Sequence, residues 1–83
     1  MDKALVEIFL PAVNAGYDVY IPLQSRMSEV SLLVSRVMRE LTEGRYMPAD
    51  DSILCDRKTG NIFNVNSSIA ELGIKNGSQL MLI

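Results

Sequence analysis

The stretch Ile69-Ala70-Glu71-Leu72-Gly73-Ile74-Lys75-Asn76-Gly77-Ser78-Gln79-Leu80-Met81-Leu82-Ile83 decides how the chain is read. Residues 69–72 predict a single helical turn, and Gly73 stops it, because glycine enters the left-handed backbone region at little cost. Asn76-Gly77 is a second turn signal. Residues 79–83 then read as a strand, with Leu80 and Leu82 on one side and Met81 and Ile83 on the other.

Working outward, residues 3–10 alternate around Val6 and Ile8 and stop at Pro11, which predicts a first strand. The turn-rich segment to Gly16 suits a hairpin loop. Residues 17–23 follow as a half-buried strand, with Tyr17, Val19, Ile21 and Leu23 on one face. Pro22 fits a strand end or a sheet edge.

The clearest helix is next. Val30, Leu33, Val34, Val37, Met38 and Leu41 recur at the spacing that places all six on one stripe. The helix is expected over residues 28–43, with Ser28 as N-cap, Glu29 against the positive helix end and Gly44 as the stop. Asp51 or Ser52 is expected to shape a polar connection. Residues 52–55 are too few for a helix and predict a buried strand. Asp56-Arg57-Lys58-Thr59-Gly60-Asn61 is a hairpin turn, and Ile62-Phe63 a minimal return strand.

The order is β-β-α-β-β-short helix-β. An α+β architecture follows, a mixed sheet of four to five strands packed on one helix, since one amphipathic helix and short strands leave few other two-layer solutions. The first and last strands are expected side by side and parallel at the sheet centre. The whole chain, 83 residues, forms one domain in this reading. There are no internal repeats, low-complexity tracts or linkers.

Composition bounds the function. Net charge is −2, so there is no basic surplus to displace counterions from a phosphate backbone, and general nucleic-acid binding is not expected. The chain has no histidine, which excludes Ser-His-Asp and Cys-His catalysis and histidine metal sites. Cys55 is the only cysteine, so an internal disulfide is excluded. It reads as a small buried hydrophobe rather than a nucleophile, although Arg57 and Lys58 are near in sequence. Asp50, Asp51 and Asp56 lack the spacing of a calcium loop, and the Asp56–Gly60 segment lacks the nested glycines of a phosphate loop. No cofactor, metal or catalytic residue is expected. No apolar run approaches a membrane span, and Met1-Asp2-Lys3-Ala4 does not open a signal peptide, so a cytoplasmic location is expected.

Two surfaces are candidates for protein partners. On the helix, Leu32 points away from the apolar stripe and has Arg36 and Arg39 as neighbours at helical spacing. On the sheet, if Val6, Ile8, Val19, Ile21, Leu80 and Leu82 face inward, the other side carries Leu5, Phe9, Tyr20, Leu54, Met81 and Ile83. Such an apolar face is uncommon on a small monomer and predicts a partner site or self-association as a homodimer.

Leu72-Gly73-Ile74-Lys75-Asn76-Gly77-Ser78-Gln79-Leu80 resembles the Leu-Gly-Ile-x-x-Gly-x-x-Leu ending of the ubiquitin-like, β-grasp superfamily. The resemblance extends over the whole chain in pattern, and it implies that Leu72 and Ile74 fill the core beneath the helix. Within that superfamily the chain is most similar to the YukD-type ubiquitin-like proteins of type VII (WXG100) secretion in Gram-positive bacteria. It shares their small size, the 56–61 hairpin and an ending without Gly-Gly. That likeness implies a non-enzymatic, cytoplasmic accessory or regulatory factor that docks on a secretion ATPase or membrane-complex component. Two alternatives stand beside it. One is a modifier or sulfur carrier activated at its C-terminus, which would need a slim glycine tail; no Gly-Gly occurs anywhere in the chain. The other is a ubiquitin-like domain excised from a larger membrane-complex protein.

Overall fold

The computed structural model describes residues 2–47 and 52–83. Its elements are β1 (Lys3–Leu10), β2 (Ala15–Pro22), α1 (Met27–Leu41), β3 (Leu54–Asp56) and β4 (Gln79–Leu82). They form a four-stranded sheet in the order β2-β1-β4-β3. β1 pairs antiparallel with β2, β4 pairs parallel with β1, and β3 pairs antiparallel with β4. The first and last strands are neighbours at the sheet centre, as the sequence pattern predicts.

The inward face follows from alternation. Ala4, Val6, Ile8 and Leu10 of β1, Ile21 of β2 and Leu80 and Leu82 of β4 are buried. Tyr17, Val19, Leu23 and Leu72 are half-buried and pack against this cluster, while Ile74 is fully inside it. The β1–β2 loop turns through Asn14 at positive φ, with the Val13 amide donating to the Leu10 carbonyl.

The helix differs from expectation at its start, in its roll and at its end, which falls at Leu41 rather than residue 43. It begins at Met27 rather than Ser28, and Arg26 is the N-cap with no side-chain capping bond. The first free amides are satisfied from elsewhere in the chain: Met27 N–H donates to the Ser67 carbonyl and Ser28 N–H to the Val65 carbonyl, both at 2.9 Å. A tertiary backbone cap has replaced the local serine cap. The buried face is Met27, Val30, Val34, Ser35 and Met38. Leu33 and Leu41, expected on that face, are each 47 % exposed. At about 100° per residue, the buried face is rolled by roughly 50° toward the serine side. Burying Ser35 costs little because its hydroxyl donates to the Ser31 carbonyl at 2.8 Å. The helix ends at Leu41, where the Thr42 hydroxyl donates to the Met38 carbonyl and accepts from the Tyr46 amide.

Three other expectations are corrected. β3 is Leu54–Asp56, so its residues shift along the chain, and the return strand at 62–63 reduces to a single bridge between Cys55 and Ile62. The sheet therefore has four strands. No helix forms over 69–72; that segment is a turn with a Leu72 N–H to Ser68 carbonyl bond. Ser68 and Glu71 nevertheless make the reciprocal bonds of a capping box, Ser68 N–H to Glu71 Oε1 at 2.9 Å and Glu71 N–H to Ser68 Oγ at 3.1 Å. Asp50 and Asp51 lie outside the described residues.

Candidate protein-docking surface

The sheet face away from the helix is built by the odd residues of β1 and the even residues of β2. Register sets Leu5 opposite Tyr20, Glu7 opposite Asp18 and Phe9 opposite Gly16. The parallel pairing continues the row, with Gln79 beside Glu7 and Met81 beside Phe9. Cys55 stands opposite Met81 on the far strand. The face therefore runs from Tyr20 across to Cys55 with side chains of one parity throughout.

Of the residues expected there, Leu5, Phe9, Tyr20, Met81 and Ile83 lie on this side. Tyr20 is 65 % exposed and Ile83 54 %, while Phe9 and Met81 are half-buried. Leu54 does not join them. It pairs with Leu82, faces the helix and is 1 % exposed. A strand has a period of two, so an assignment one residue out moves a side chain to the opposite face. Cys55 takes the position expected of Leu54. Its thiol is sealed from solvent and donates to the Met81 carbonyl at 3.6 Å. Burial, and then the charge of Asp56, push that thiol above its ordinary value of 9.0. Arg57 does not activate it, being held by another group.

That group is Glu7. Arg57 Nη1 lies 2.6 Å from Glu7 Oε1, and the guanidinium carbon sits 4.4 Å from the centroid of the Phe9 ring. Both charged side chains are partly exposed, so the ion pair contributes at most about 1 kcal/mol, with a similar amount from the ring contact. The pair divides the open face in two. Toward β3 it covers Phe9. Toward β2 it leaves an open groove of about 440 Å³, bordered by Leu5, Glu7, Asp18, Tyr20 and Gln79. The groove floor is fixed by the turn before β4: Asn76 Oδ1 accepts from the Leu5 amide at 2.8 Å, and Gly77 N–H donates to the Leu5 carbonyl at 2.9 Å.

The hairpin that delivers Arg57 is shaped by Asp56. Its Oδ1 accepts from the amides of Lys58 and Thr59, and Gly60 closes the turn onto the Asp56 carbonyl at 2.8 Å. Sequence reasoning found this turn but not its product. Glu7 and Arg57 are fifty residues apart in the chain, and no local pattern announces their meeting. Glu7 and Asp18 were legible only as the polar members of their strands.

The helix candidates are separate. Leu32, Arg36 and Arg39 are all exposed, on the side of α1 that points away from the sheet. Arg36 and Arg39 border a shallow depression with Glu40, Glu43 and Gly44. The structure thus places the two candidate sets on opposite sides of the molecule.

No family model matches this chain, and no curated protein matches it. Solved structures do. The ubiquitin-like domain of the Mycobacterium tuberculosis type VII secretion system protein EccD1 superposes with a TM-score of 0.78 at 17 % identity, covering 100 % of this chain and 99 % of that one. The fold is the ubiquitin-like β-grasp. The EccD5 ubiquitin-like domain from Mycobacterium xenopi superposes with a TM-score of 0.75 at 21 % identity, over 100 % and 94 % of the two chains. A chain of the ESX-5 inner membrane complex matches with a TM-score of 0.82 at 16 % identity; all of this chain covers 21 % of that one. These type VII likenesses are to EccD-type domains and membrane-complex chains, not to a YukD-type protein. At such identities likeness shows the fold alone, and a toluene 4-monooxygenase complex shares it too.

Proposed function

We propose that this chain is a non-enzymatic, cytoplasmic ubiquitin-like module that docks on a component of a type VII secretion machinery through the open face of its sheet. The observation that carries the docking surface is the exposed Leu5–Tyr20 pair on the β2 side of the Glu7–Arg57 bridge, with the half-buried Phe9 and Met81 and the exposed Ile83 beyond that bridge on the same face. An aromatic anchor with apolar neighbours and a polar rim is the composition of an interface centre. The likeness to ubiquitin-like domains of EccD proteins and to an inner membrane complex supports the secretion setting. The same surface in a longer membrane-complex chain is a second reading, supported by the ESX-5 likeness, in which the matching part is a fifth of the neighbour.

Conjugation through residue 83 is disfavoured. Ile83 exchanges two backbone hydrogen bonds with Ile53, at 2.8 and 2.9 Å, so its main chain belongs to a ladder rather than to a free tail. The test is calorimetric titration of the purified chain with the cytosolic regions of a type VII membrane complex and of its ATPase. Saturable 1:1 binding to one of them supports the function. Binding to neither, or formation of an adenylate on incubation with an activating enzyme and ATP, contradicts it.

A further inference from the structure

Two like-built units stand side by side on the open face. In each, a carboxylate is followed two residues later by an aromatic ring: Glu7 with Phe9 on β1, and Asp18 with Tyr20 on β2. The first unit is filled by the chain's own cation, since Arg57 pairs with Glu7 and lies over the Phe9 ring. The second holds none. Asp18 makes no ion pair or side-chain hydrogen bond among the described residues, and Tyr20 is the most exposed large apolar side chain among them.

Electrostatics bias the second unit toward a cation. Glu7 and Asp18 are direct cross-strand partners, and like charges so placed repel. Arg57 offsets one of the two charges and leaves the other facing the groove. Lys3 is on the same face, but it stands opposite Pro22, two pairs beyond Asp18, and makes no ion pair. The groove supplies the rest of what an arginine side chain uses: Leu5 beside the aliphatic stem, the Tyr20 ring for the flat guanidinium, and the Asp18 carboxylate for its N–H fork. Arginine suits this better than lysine, because a planar, weakly hydrated cation can stack and pair at once.

We propose that the Asp18–Tyr20 groove receives an arginine from a basic segment of the partner protein, reproducing across the interface the contact that Arg57 makes within the chain. The proposal rests on the docking reading above and adds the chemistry of the partner. A positively charged partner segment is complementary to this acidic groove and to a chain of net charge −2.

The test uses the 15N-labelled chain and three synthetic heptapeptides, identical except for a central arginine, lysine or citrulline, at low salt. The arginine peptide is expected to shift the amides of Leu5, Asp18, Tyr20 and Gln79, to bind at least tenfold more tightly than the citrulline peptide, and to lose at least tenfold in Asp18→Asn and in Tyr20→Ala. Arg57→Ala supplies an internal control. It empties the first unit, so the arginine peptide should then also shift Phe9 and Glu7. Equal binding of the citrulline peptide, unchanged affinity in Asp18→Asn, or shifts confined to Leu32, Arg36 and Arg39 would overturn the proposal. If the arginine peptide binds as expected but no secretion component binds the chain, only the secretion reading fails. If a secretion component binds and Asp18→Asn leaves that binding unchanged, only the arginine site fails.

Discussion

Ile8 and Leu80 lie side by side in parallel register at the centre of the sheet, and neither is reached by solvent. Their pairing joins the first strand to the last, and both belong to one buried cluster with the helix residues Val34 and Met38. Leu80→Ala should therefore destabilise the fold by about 2–5 kcal/mol, and Ile8→Val by about 0.5–1.5 kcal/mol. Leu32→Ala, on the outer side of the helix, should stay within about 0.5 kcal/mol of wild type. Urea unfolding midpoints with an unchanged slope measure all three.

Gly77 and Gly16 should respond in opposite ways to the same substitution. Gly77 has φ +88°, where a side chain is strained although nothing lies within 4 Å of an added Cβ. Gly77→Ala should cost about 1–2 kcal/mol and loosen the turn that sets the groove floor. Gly16 needs no positive φ, and its added Cβ would meet the Glu7 side chain at an ordinary 3.6 Å. Gly16→Ala should be neutral or stabilising, since it lowers the entropy of the unfolded chain. Thermal unfolding of the two variants tests the contrast.

Much of the fold was legible because it is written in short-range pattern. Alternation placed Val6, Ile8, Ile21, Leu80 and Leu82 inward, and the two glycine turns after residue 72 placed the last strand. Features set by distant partners were not legible. The helix start depends on the carbonyls of Val65 and Ser67, which no residue near Ser28 announces. The roll that exposes Leu33 brings Ser35 into the buried face, and Ser31 borders the same groove as Leu54 of β3. Leu54 was misplaced because a three-residue strand offers too little alternation to fix its register. Its pairing with Leu82 settles the matter. On the docking face, the aromatic and apolar residues were visible in sequence, whereas the Glu7–Arg57 bridge that divides the face was not.

Cys55 should behave as an inert thiol in the native chain. Its raised pKa keeps it protonated at neutral pH, and it is sealed from solvent. Alkylation by iodoacetamide should be far slower in buffer than in denaturing urea. The linkage has a definite sign. Because the folded value lies above the ordinary 9.0, this group's contribution is fully present below pH 9.0 and is lost as pH rises through the folded value. The stability difference between wild type and Cys55→Ala should be flat below that pH and shift against wild type above it.

Glu71 should act at the other end of the pH scale. The Ser68 amide, and then its hydroxyl, hold the Glu71 carboxyl below its ordinary value of 4.5. The folded state therefore takes up this proton later than the unfolded state. The stabilisation is present above pH 4.5 and is lost as pH falls through the lowered value. Glu71→Gln keeps an acceptor for the Ser68 amide without the titration. Its melting temperature should fall less steeply on acidification than that of wild type, as read by circular dichroism.

The central claim is that the open sheet face, and not the outer face of the helix, is the docking surface. The most direct measurement compares calorimetric binding of the secretion-complex component by wild type, by Tyr20→Arg/Met81→Lys and by Leu32→Ala/Arg36→Ala, with unfolding midpoints measured in parallel. The account predicts a loss of at least about thirtyfold for the sheet-face variant, about 2 kcal/mol of binding free energy, with its fold intact, and less than about a twofold change for the helix variant, as expected of residues outside an interface centre. Unchanged binding by a folded Tyr20→Arg/Met81→Lys chain, with the loss appearing in Leu32→Ala/Arg36→Ala instead, would contradict it.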